Sequence, residues 1–412
     1  MPQSTPHSAL RHPAWLVFLL GSLCVVTPFA IDMYLPAFTV MAREFNTTTK
    51  SISLSLSTYF VGFALGQLLY GPLLDRYGRK RPLLIGLTAY ILGSIGCALA
   101  PTLPTFILLR FFTALGGCVA QVAAIAMVRD FFPVKESARV LSLLFLVIGL
   151  SPLLAPTVGS LLVAGLGWRW IFGLLASIAL LILVATVIFL PEGHTPDHSV
   201  SLRPVHMLQS FWKILATPQF IVYTLAGAFS FSGLFAFVAG SPLLFMDGFH
   251  MTTRAFGLTF AGLVMGFIGG NQLNVLLLRR YTSQQLFAAA VTIQLLFGAA
   301  FYLLTLAHHI NLQLTLGLLF IFLSSIGLTY PNSAAIGLAP FSREAGRASA
   351  LLGFLQTGFG ALISSGIGIL GAVSVPPIVA ATPLIAAALL LAFRHRLHHI
   401  IEDHDSEAIV MH

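Results

Sequence analysis

GPLLDRYGRKRPLL, residues 71–84, packs five charged residues and two glycines between long apolar runs at 51–70 and 82–100. About 20 mainly apolar residues suffice to cross a bilayer core of about 30 Å, and each flanking run meets that length. The stretch therefore reads as a tight polar loop joining two membrane spans on one side of a bilayer. The composition supports a membrane chain: 57% of residues are apolar, 8% are charged and the mean hydropathy is +0.93. A soluble domain carries roughly a quarter charged residues.

Working outward from the loop, the sequence contains twelve such runs, near 14–38, 51–70, 82–100, 104–128, 138–163, 169–190, 218–246, 255–278, 285–307, 313–337, 346–371 and 375–394. Arg11 before the first run resembles the start of a secretion signal, but the run is too long and lacks a small-residue cleavage pattern, so it reads as a retained span. The chain carries a formal charge of +8 and a pI near 9.7. With a cytoplasmic N-terminus, sixteen of the twenty-one Lys and Arg fall on the inner side, including Arg76, Arg79, Lys80 and Arg81. Only Arg43, Lys50, Arg169 and Arg254 fall outside. The positive-inside rule then places both termini in the cytoplasm and explains the basic balance without nucleic acid. Cys24, Cys97 and Cys118 all lie within spans and offer neither a disulfide framework nor a zinc spacing.

PEGHTPDHSVSLRPVHML, 191–208, is the longest polar interruption, with six spans on each side. It predicts an N-terminal six-helix bundle over 1–190, a cytoplasmic linker over 191–217, a C-terminal bundle over 218–395 and a cytoplasmic tail over 396–412. An internal echo supports two related halves. Lys135-Glu136-Ser137-Ala138-Arg139 precedes the body of span five as Arg343-Glu344-Ala345-Gly346-Arg347 precedes that of span eleven, and AAIAM at 123–127 returns as AAIGL at 334–338. Halves with the same orientation are parallel repeats, which place a transport site at their interface near the midplane. The expected fold is all-α and integral to the membrane, with twelve transmembrane helices in two pseudo-symmetric six-helix bundles.

Of thirteen acidic residues, Asp32 in FAIDMYLP (29–36) alone lies well inside a span, and Arg110 is the one basic residue similarly placed. A charge at the bilayer centre costs about 2.5–3.5 kcal/mol on insertion scales, so such residues face a bundle interior and are functional candidates. Pro28 and Pro36 flank the acid and each removes one helical N–H, predicting a bend on both sides of Asp32. Burial and a nearby arginine act in opposite directions on a carboxyl group, so a small change in water access can switch its charge. Asp32 is accordingly a candidate proton carrier.

The 71–84 loop is similar to the G-x-L-x-D-R-x-G-R-[RK] signature of the major facilitator superfamily, with Gly71, Asp75, Arg76, Gly78, Arg79 and Lys80 at the matching positions. Arg110 resembles the arginine of that superfamily's fourth-span R-x-x-Q-G motif, although Thr113 and Ala114 replace the usual Gln and Gly. SPLLAPTVGS (151–160) resembles the fifth-span motif of proton antiporters: Ala155 and Ser160 replace two glycines, and Pro156 and Gly159 remain. AIDMYLPA with RDFF at 129–132 resembles the bicyclomycin/chloramphenicol-resistance (Bcr/CflA) branch.

The resemblance implies the major facilitator fold in the cell's inner membrane. It further implies a proton-coupled antiporter exporting small lipophilic drugs or antibiotics by alternating access. Asp32 and Arg110 would couple protons, and the 71–80 loop would act as a charge latch that forms in one global state and breaks in another. An exporter or importer of an endogenous metabolite from the same superfamily is the alternative. The expected partners are a small-molecule drug, protons and the lipid bilayer, around a monomeric chain.

Helical spacing from Asp32 adds Pro28, Cys24 and Ile31 as cavity candidates. From Arg110 it runs through Thr113 and Gly117 to Gln121 and Ile125. Tyr59, Phe60, Phe235, Asn271, Tyr330, Asn332 and Gln356 complete the candidate lining. Gly62, Gly66, Gly262, Gly266, Gly270, Gly353, Gly360, Gly366 and Gly368 suggest close packing along an inter-half seam. His395 and His399 lie one turn apart in the tail, where a solvated helix end is the expected reading. No catalytic constellation or nucleotide loop appears, so neither an enzyme nor a cofactor or metal is expected.

Overall fold

Lipid offers backbone groups no hydrogen bonds, so a chain of this composition must satisfy them within helices or a closed barrel. In a computed structural model describing residues 14–132, 134–192, 196, 204–341 and 345–393, the solution is helical. Arg11, Arg203, Arg343, Glu344, Arg394, Arg396, most of the 193–203 linker and the tail with His395 and His399 lie outside the described residues. The helices are α1 (Ala14–Asp32), α2 (Phe38–Glu44), α3 (Thr49–Tyr77), α4 (Lys80–Leu99), α5 (Leu103–Phe131), α6 (Val134–Gly165) and α7 (Arg169–Phe189). They continue with α8 (Pro204–Leu215), α9 (Pro218–Ser241), α10 (Thr253–Leu277), α11 (Ser283–Leu306), α12 (Leu312–Leu338), α13 (Ala345–Leu370) and α14 (Val375–Ala392).

Among the described residues twelve segments are long and apolar enough to cross a membrane, one for each apolar run in the sequence. Three spans are composite, the twelfth by a 3-10 turn at Ala372–Ser374 that leads into α14. The first runs Ala14–Glu44 through α1, a 3-10 turn at Leu35–Ala37 and α2; the seventh runs Pro218–Gly248 through α9 and a π-helical turn at Pro242–Gly248. Polar caps mark many of the starts. Thr48, Thr102, Thr252 and Asn311 accept hydrogen bonds from the backbone of Ser51, Thr105, Ala255 and Leu314, and Thr282 with Gln285 forms a capping box. Such caps satisfy N–H groups that the first helical turn leaves unpaired.

Helices α1 to α7 form one bundle and α9 to α14 the other, and the same glycine device recurs in each. Gly62 and Gly66 of α3 lie against the Phe111 carbonyl, Ala114 and Cys118 of α5; Gly266 and Gly270 of α10 lie against the Phe320 carbonyl and Ser324 of α12. These four glycines therefore build the bundles and do not line the seam, contrary to the sequence expectation. A missing Cβ lets two backbones approach whichever helix is opposite, and spacing along one helix does not name that helix.

The seam itself joins α3 to α13 and α6 to α10. Ser57 and Ser364 hydroxyls lie 2.9 Å apart, and Thr357 Oγ1 donates to Gln67 Oε1 at 3.4 Å. Of the seam glycines, Gly353 faces Gln67 and Gly368 faces Leu54, whereas Gly360 receives the Phe235 ring within its own bundle. Gly366 approaches Ile378, and Gly262 has no atom within 4 Å of a Cβ position. At the end remote from the 71–80 loop, Thr49 Oγ1 donates to Asp247 Oδ1 of the other bundle at 3.3 Å.

Gly270 has no space for a Cβ against the Ser324 carbonyl. Overpacking of this kind costs about 1–3 kcal/mol or more, so Gly270→Ala is expected to lower thermal stability markedly. Gly262→Ala is expected to leave it within about 0.5 kcal/mol. Thermal unfolding of the two purified variants in one detergent checks the contrast.

Candidate functional site

The site is built on the interruption of the first span. Helical bonding in α1 extends to the Met33 N–H, which donates to the Phe29 carbonyl at 3.1 Å, and the chain then turns through Leu35–Ala37. Pro36 has no N–H to give the Asp32 carbonyl. Asp32 thus stands at the C-terminal end of α1, 4% exposed, and its carboxylate has no hydrogen-bond or ion-pair partner among the described residues. Pro28 and Ile31 are half-buried beside it; Cys24, one turn deeper than Pro28, is fully buried.

The fifth-span motif lies directly on this interruption. Gly159 of α6 fits against the Met33 carbonyl with no room for a Cβ, and Ala155 is fully buried. On the other side, a Cβ at Gly257 of α10 would lie 3.2 Å from the Pro156 carbonyl and 3.3 Å from Ser160 Oγ. One stretch of α6 is therefore sandwiched between the end of α1 and the second bundle.

Arg110 is completely buried, yet it forms no ion pair with Asp32. Its Nη2 donates to the Ala30 carbonyl at 2.8 Å, and its guanidinium lies 4.3 Å from the Tyr34 ring centre and 4.2 Å from that of Tyr59. The Phe172 ring is next, at 5.7 Å. Aromatic faces attract cations, and the C-terminal end of a helix does the same. Among the described residues Nε and Nη1 of Arg110 have no hydrogen-bond partner. Tyr59 OH also lacks one: Thr27 Oγ1 lies toward it, but the geometry falls short of a hydrogen bond.

The face of α5 projected from Arg110 divides. Thr113 bonds the Leu109 carbonyl at 2.7 Å and fills the space beside Gly93 of α4, and Gly117 lies against the Tyr90 ring. Only Gln121 and Ile125 remain half-buried farther along. Close α4–α5 packing takes the intervening positions.

Across the seam, Phe60 meets Phe235 edge-on at 4.5 Å; Phe231 follows at 5.5 Å from Phe235 and lies 4.5 Å from Tyr330. Gln356 is buried and its Nε2 has no partner among the described residues, whereas Asn271 is half-buried. Asn332 donates to Asn274 Oδ1 at 2.6 Å, so its amide is already engaged. Sequence reasoning missed Asn274, Gln67 and the buried Ser230–Gln294–Thr329 cluster, in which the Ser230 hydroxyl donates within reach of Gln294 Oε1 at 2.7 Å and Thr329 Oγ1 at 2.8 Å. Their signal was available: each amide interrupts an apolar run, as Asn332 does.

In the 71–80 loop, Arg79 Nη1 meets Asp75 Oδ1 at 2.6 Å and Nε meets Asp130 Oδ2 at 2.7 Å. The Arg79 backbone N–H donates to Glu192 Oε1 at 2.6 Å, and Lys80 Nζ donates to the Val187 and Leu190 carbonyls at 3.0 and 2.8 Å. Burial opposes the charge on Arg79, but Asp130 and Asp75 outweigh it and hold its pKa above the ordinary arginine value. Gly78 has φ +82°, which only a residue without a Cβ adopts freely, and a Cβ there would also lie 3.0 Å from Glu192 Oε1. At Gly71 no atom of the described residues lies within 4 Å of a Cβ position. These contacts tie α3, α4, α5 and the end of α7 within one bundle.

A family model described as "Major Facilitator Superfamily" matches residues 20–365. The chain belongs to this superfamily. It is 30% identical over 367 residues to the "Uncharacterized MFS-type transporter YdgK" of Bacillus subtilis, covering 88% of this chain and 90% of that protein. It is 28% identical to the "Bicyclomycin resistance protein homolog" of Haemophilus influenzae, with 85% and 87% covered. With the "Chloramphenicol resistance protein" of Pseudomonas aeruginosa it shares 33% identity over 62% of this chain and 61% of the other. Among solved structures, a D-xylose-proton symporter superposes with a TM-score of 0.70 at 16% identity, covering 92% of this chain and 97% of that one, a likeness of fold alone. As a Major Facilitator Superfamily member the protein is a multi-pass membrane transporter, and in bacteria its place is the inner membrane.

For this superfamily member, Arg79→Ala would leave the carboxylates of Asp75 and Asp130 without their shared cation. Breaking a largely buried pair costs about 3–5 kcal/mol, with less expected here because the Asp75 side chain is 50% exposed. Loss of thermal stability and faster proteolysis near residues 71–80 are the expected readouts, and Arg79→Lys, lacking the planar fork, should recover only part of both.

Proposed function

We propose that this transporter exports small lipophilic drugs in exchange for protons, with the 71–80 loop and both termini in the cytoplasm. The observation that carries the reading is the Asp32 carboxylate, deep in the first span, unpaired, at the point where α1 ends. A carboxylate in such a place is expensive when charged and dry. Protonated, it fits a closed seam; ionised, it favours whichever arrangement of the bundles brings water to the end of α1. A proton therefore shifts the conformational balance only through the difference in its binding to the two states.

The α6 sandwich supplies the mechanical link. Movement at Met33 displaces Gly159, and the same stretch of α6 bears on Gly257 of the second bundle. Cargo meets mainly apolar and aromatic surface along the seam, with a few neutral amides, a lining that selects loosely among lipophilic molecules. The moving bodies are residues 1–190 and 218–395, joined by 191–217, and the transporter works as a monomer. The names of the resistance-protein relatives favour antibiotics as cargo.

Inside-out vesicles carrying wild type or Asp32→Asn test the reading. A proton gradient is expected to drive uptake of chloramphenicol or bicyclomycin by wild type, and Asp32→Asn should reduce that uptake at least about tenfold. Undiminished gradient-driven uptake by Asp32→Asn would remove Asp32 as the carrier.

A further inference from the structure

α8, the helix between the two bundles, has no part in the candidate site. It is 12 residues long, PVHMLQSFWKIL, and contains no acidic residue. An isolated helix of that length is marginal in water, so packing must hold it. At about 100° per residue, Trp212 and Ile214 lie on opposite sides of the helix axis, with Phe211 and Leu215 between them on one flank and Gln209 and Lys213 on the other.

Burial follows that wheel. Ile214 is completely buried, Phe211 and Leu215 are half-buried, and Gln209 and Lys213 are exposed. Trp212 is 73% exposed. The apolar arc is therefore wider than the surface the second bundle covers. It runs from Ile214 through Phe211 and Leu215 to Trp212, and the described residues leave its last member uncovered.

The neighbours of Ile214 fix the depth of α8. Ile214 belongs to an apolar cluster with Phe220 of α9 and with Ala348, Leu351 and Leu352 of α13. Phe220 lies in the first turn of the seventh span (Pro218–Gly248), and the three α13 residues lie in the first two turns of the eleventh (Arg347–Leu370). α8 is thus level with the ends of two spans, where headgroups meet acyl chains. It does not continue α9: Thr217, at φ −79° and ψ 114°, breaks the helix between them, and Gln219 Nε2 donates to the Ile336 carbonyl at 2.9 Å and pins the start of α9 to α12. At the other end of the linker, Glu192 accepts from the Arg79 and Lys80 N–H groups, so α8 lies on the side of the 71–80 loop.

Tryptophan is enriched where membrane meets water, and helices with aromatic and aliphatic residues on one face and lysine on the other lie in that plane. We propose that the Trp212 face of α8 is a lipid-docking surface. The helix lies in the headgroup region of the leaflet on the 71–80 side, with Ile214 on the second bundle, the indole at the acyl boundary and Lys213 toward headgroup phosphates. Bilayer lipid is the partner because the two spans on which α8 rests bring the bilayer to its level, and its apolar arc continues from theirs. The linker thereby rides on the membrane surface with the second bundle, whatever the cargo and whatever drives it.

Full-length protein in nanodiscs, which leave both membrane faces open, tests the assignment. Nitroxide labels on Gln209→Cys, Trp212→Cys and Lys213→Cys report collisions with oxygen, which concentrates in lipid, and with a water-soluble nickel chelate. The native Cys24, Cys97 and Cys118 are buried, and wild type treated with the label supplies the background. The oxygen-to-nickel ratio at 212 is expected to exceed that at 209 and 213 at least about threefold, as for a face sunk below the headgroups. Equal ratios at the three positions would place Trp212 in water and overturn the proposal. Spin–spin broadening confined to 212 would assign the face to a second copy of the chain and overturn it as well. The native indole gives a readout without a label: the emission lost in Trp212→Phe, taken as the difference from wild type, is expected to fall at least about twofold in nanodiscs of acyl-chain-brominated phosphatidylcholine. An unquenched difference would overturn the docking. Docking is expected in phosphatidylcholine alone, because the apolar face carries it; a requirement for phosphatidylglycerol would transfer the binding to Lys213 and overturn the role of Trp212.

Discussion

The interrupted end of α1 is the constraint on which the site depends. A helix that stops inside a bilayer leaves carbonyls without their usual N–H partners, and lipid supplies none. Here the Ala30 carbonyl is taken by Arg110 and the Met33 carbonyl is covered by the backbone of Gly159. The cation is favourable at this end of the helix for the same reason that it would be unfavourable at the other, because the helix C-terminus carries partial negative charge. Asp32 lies between these two attachment points. The chain on either side of it is thus held by an arginine of α5 and by the backbone of α6.

Close backbone approach does the rest of the organising. Paired glycines let α3 lie on α5 and α10 lie on α12, so the two bundles repeat one packing solution. The seam has its own glycines at Gly257, Gly353 and Gly368, and adds two serine hydroxyls, a threonine-to-glutamine bond and an edge-on pair of phenylalanines. The polar contacts at the seam are few and replaceable, whereas the backbone contacts inside each bundle leave no room for a Cβ at Gly62 or Gly270. Hydrogen bonds between helices in membranes contribute modestly, about 1–2 kcal/mol in model peptides, so none of the seam bonds locks the bundles together.

The sequence showed the twelve spans, the internal repeat and the two unusual charges, because hydropathy and charge are properties of single positions and short windows. It also predicted a proline disturbance on both sides of Asp32, but α1 runs unbroken through Pro28 and only Pro36 coincides with the interruption. What it could not show was partnership. Thr113 and Gly117 share a helical face with Arg110, yet α4 covers them; Gly62 and Gly266 have the spacing of seam residues, yet each faces a helix of its own bundle. The period of 3.6 assigns a residue to a face, and only tertiary packing assigns that face a neighbour. Asn332 illustrates the same limit: its place in an apolar span was visible, but its bond to Asn274 was not.

The bundles also differ in the kind of polarity they bury. Asp32 and Arg110 both belong to the first, whereas the second buries neutral groups, among them two sets that satisfy one another, Asn332 with Asn274 and Ser230 with Gln294 and Thr329. A satisfied neutral cluster gains nothing from water and gives its helices little reason to change arrangement. A buried carboxylate without a partner among the described residues is the opposite case, since both water and a proton alter its energy. The repeat thus supplies a matched scaffold, and the loss of symmetry in buried charge is why the proposed proton switch is assigned to the first bundle.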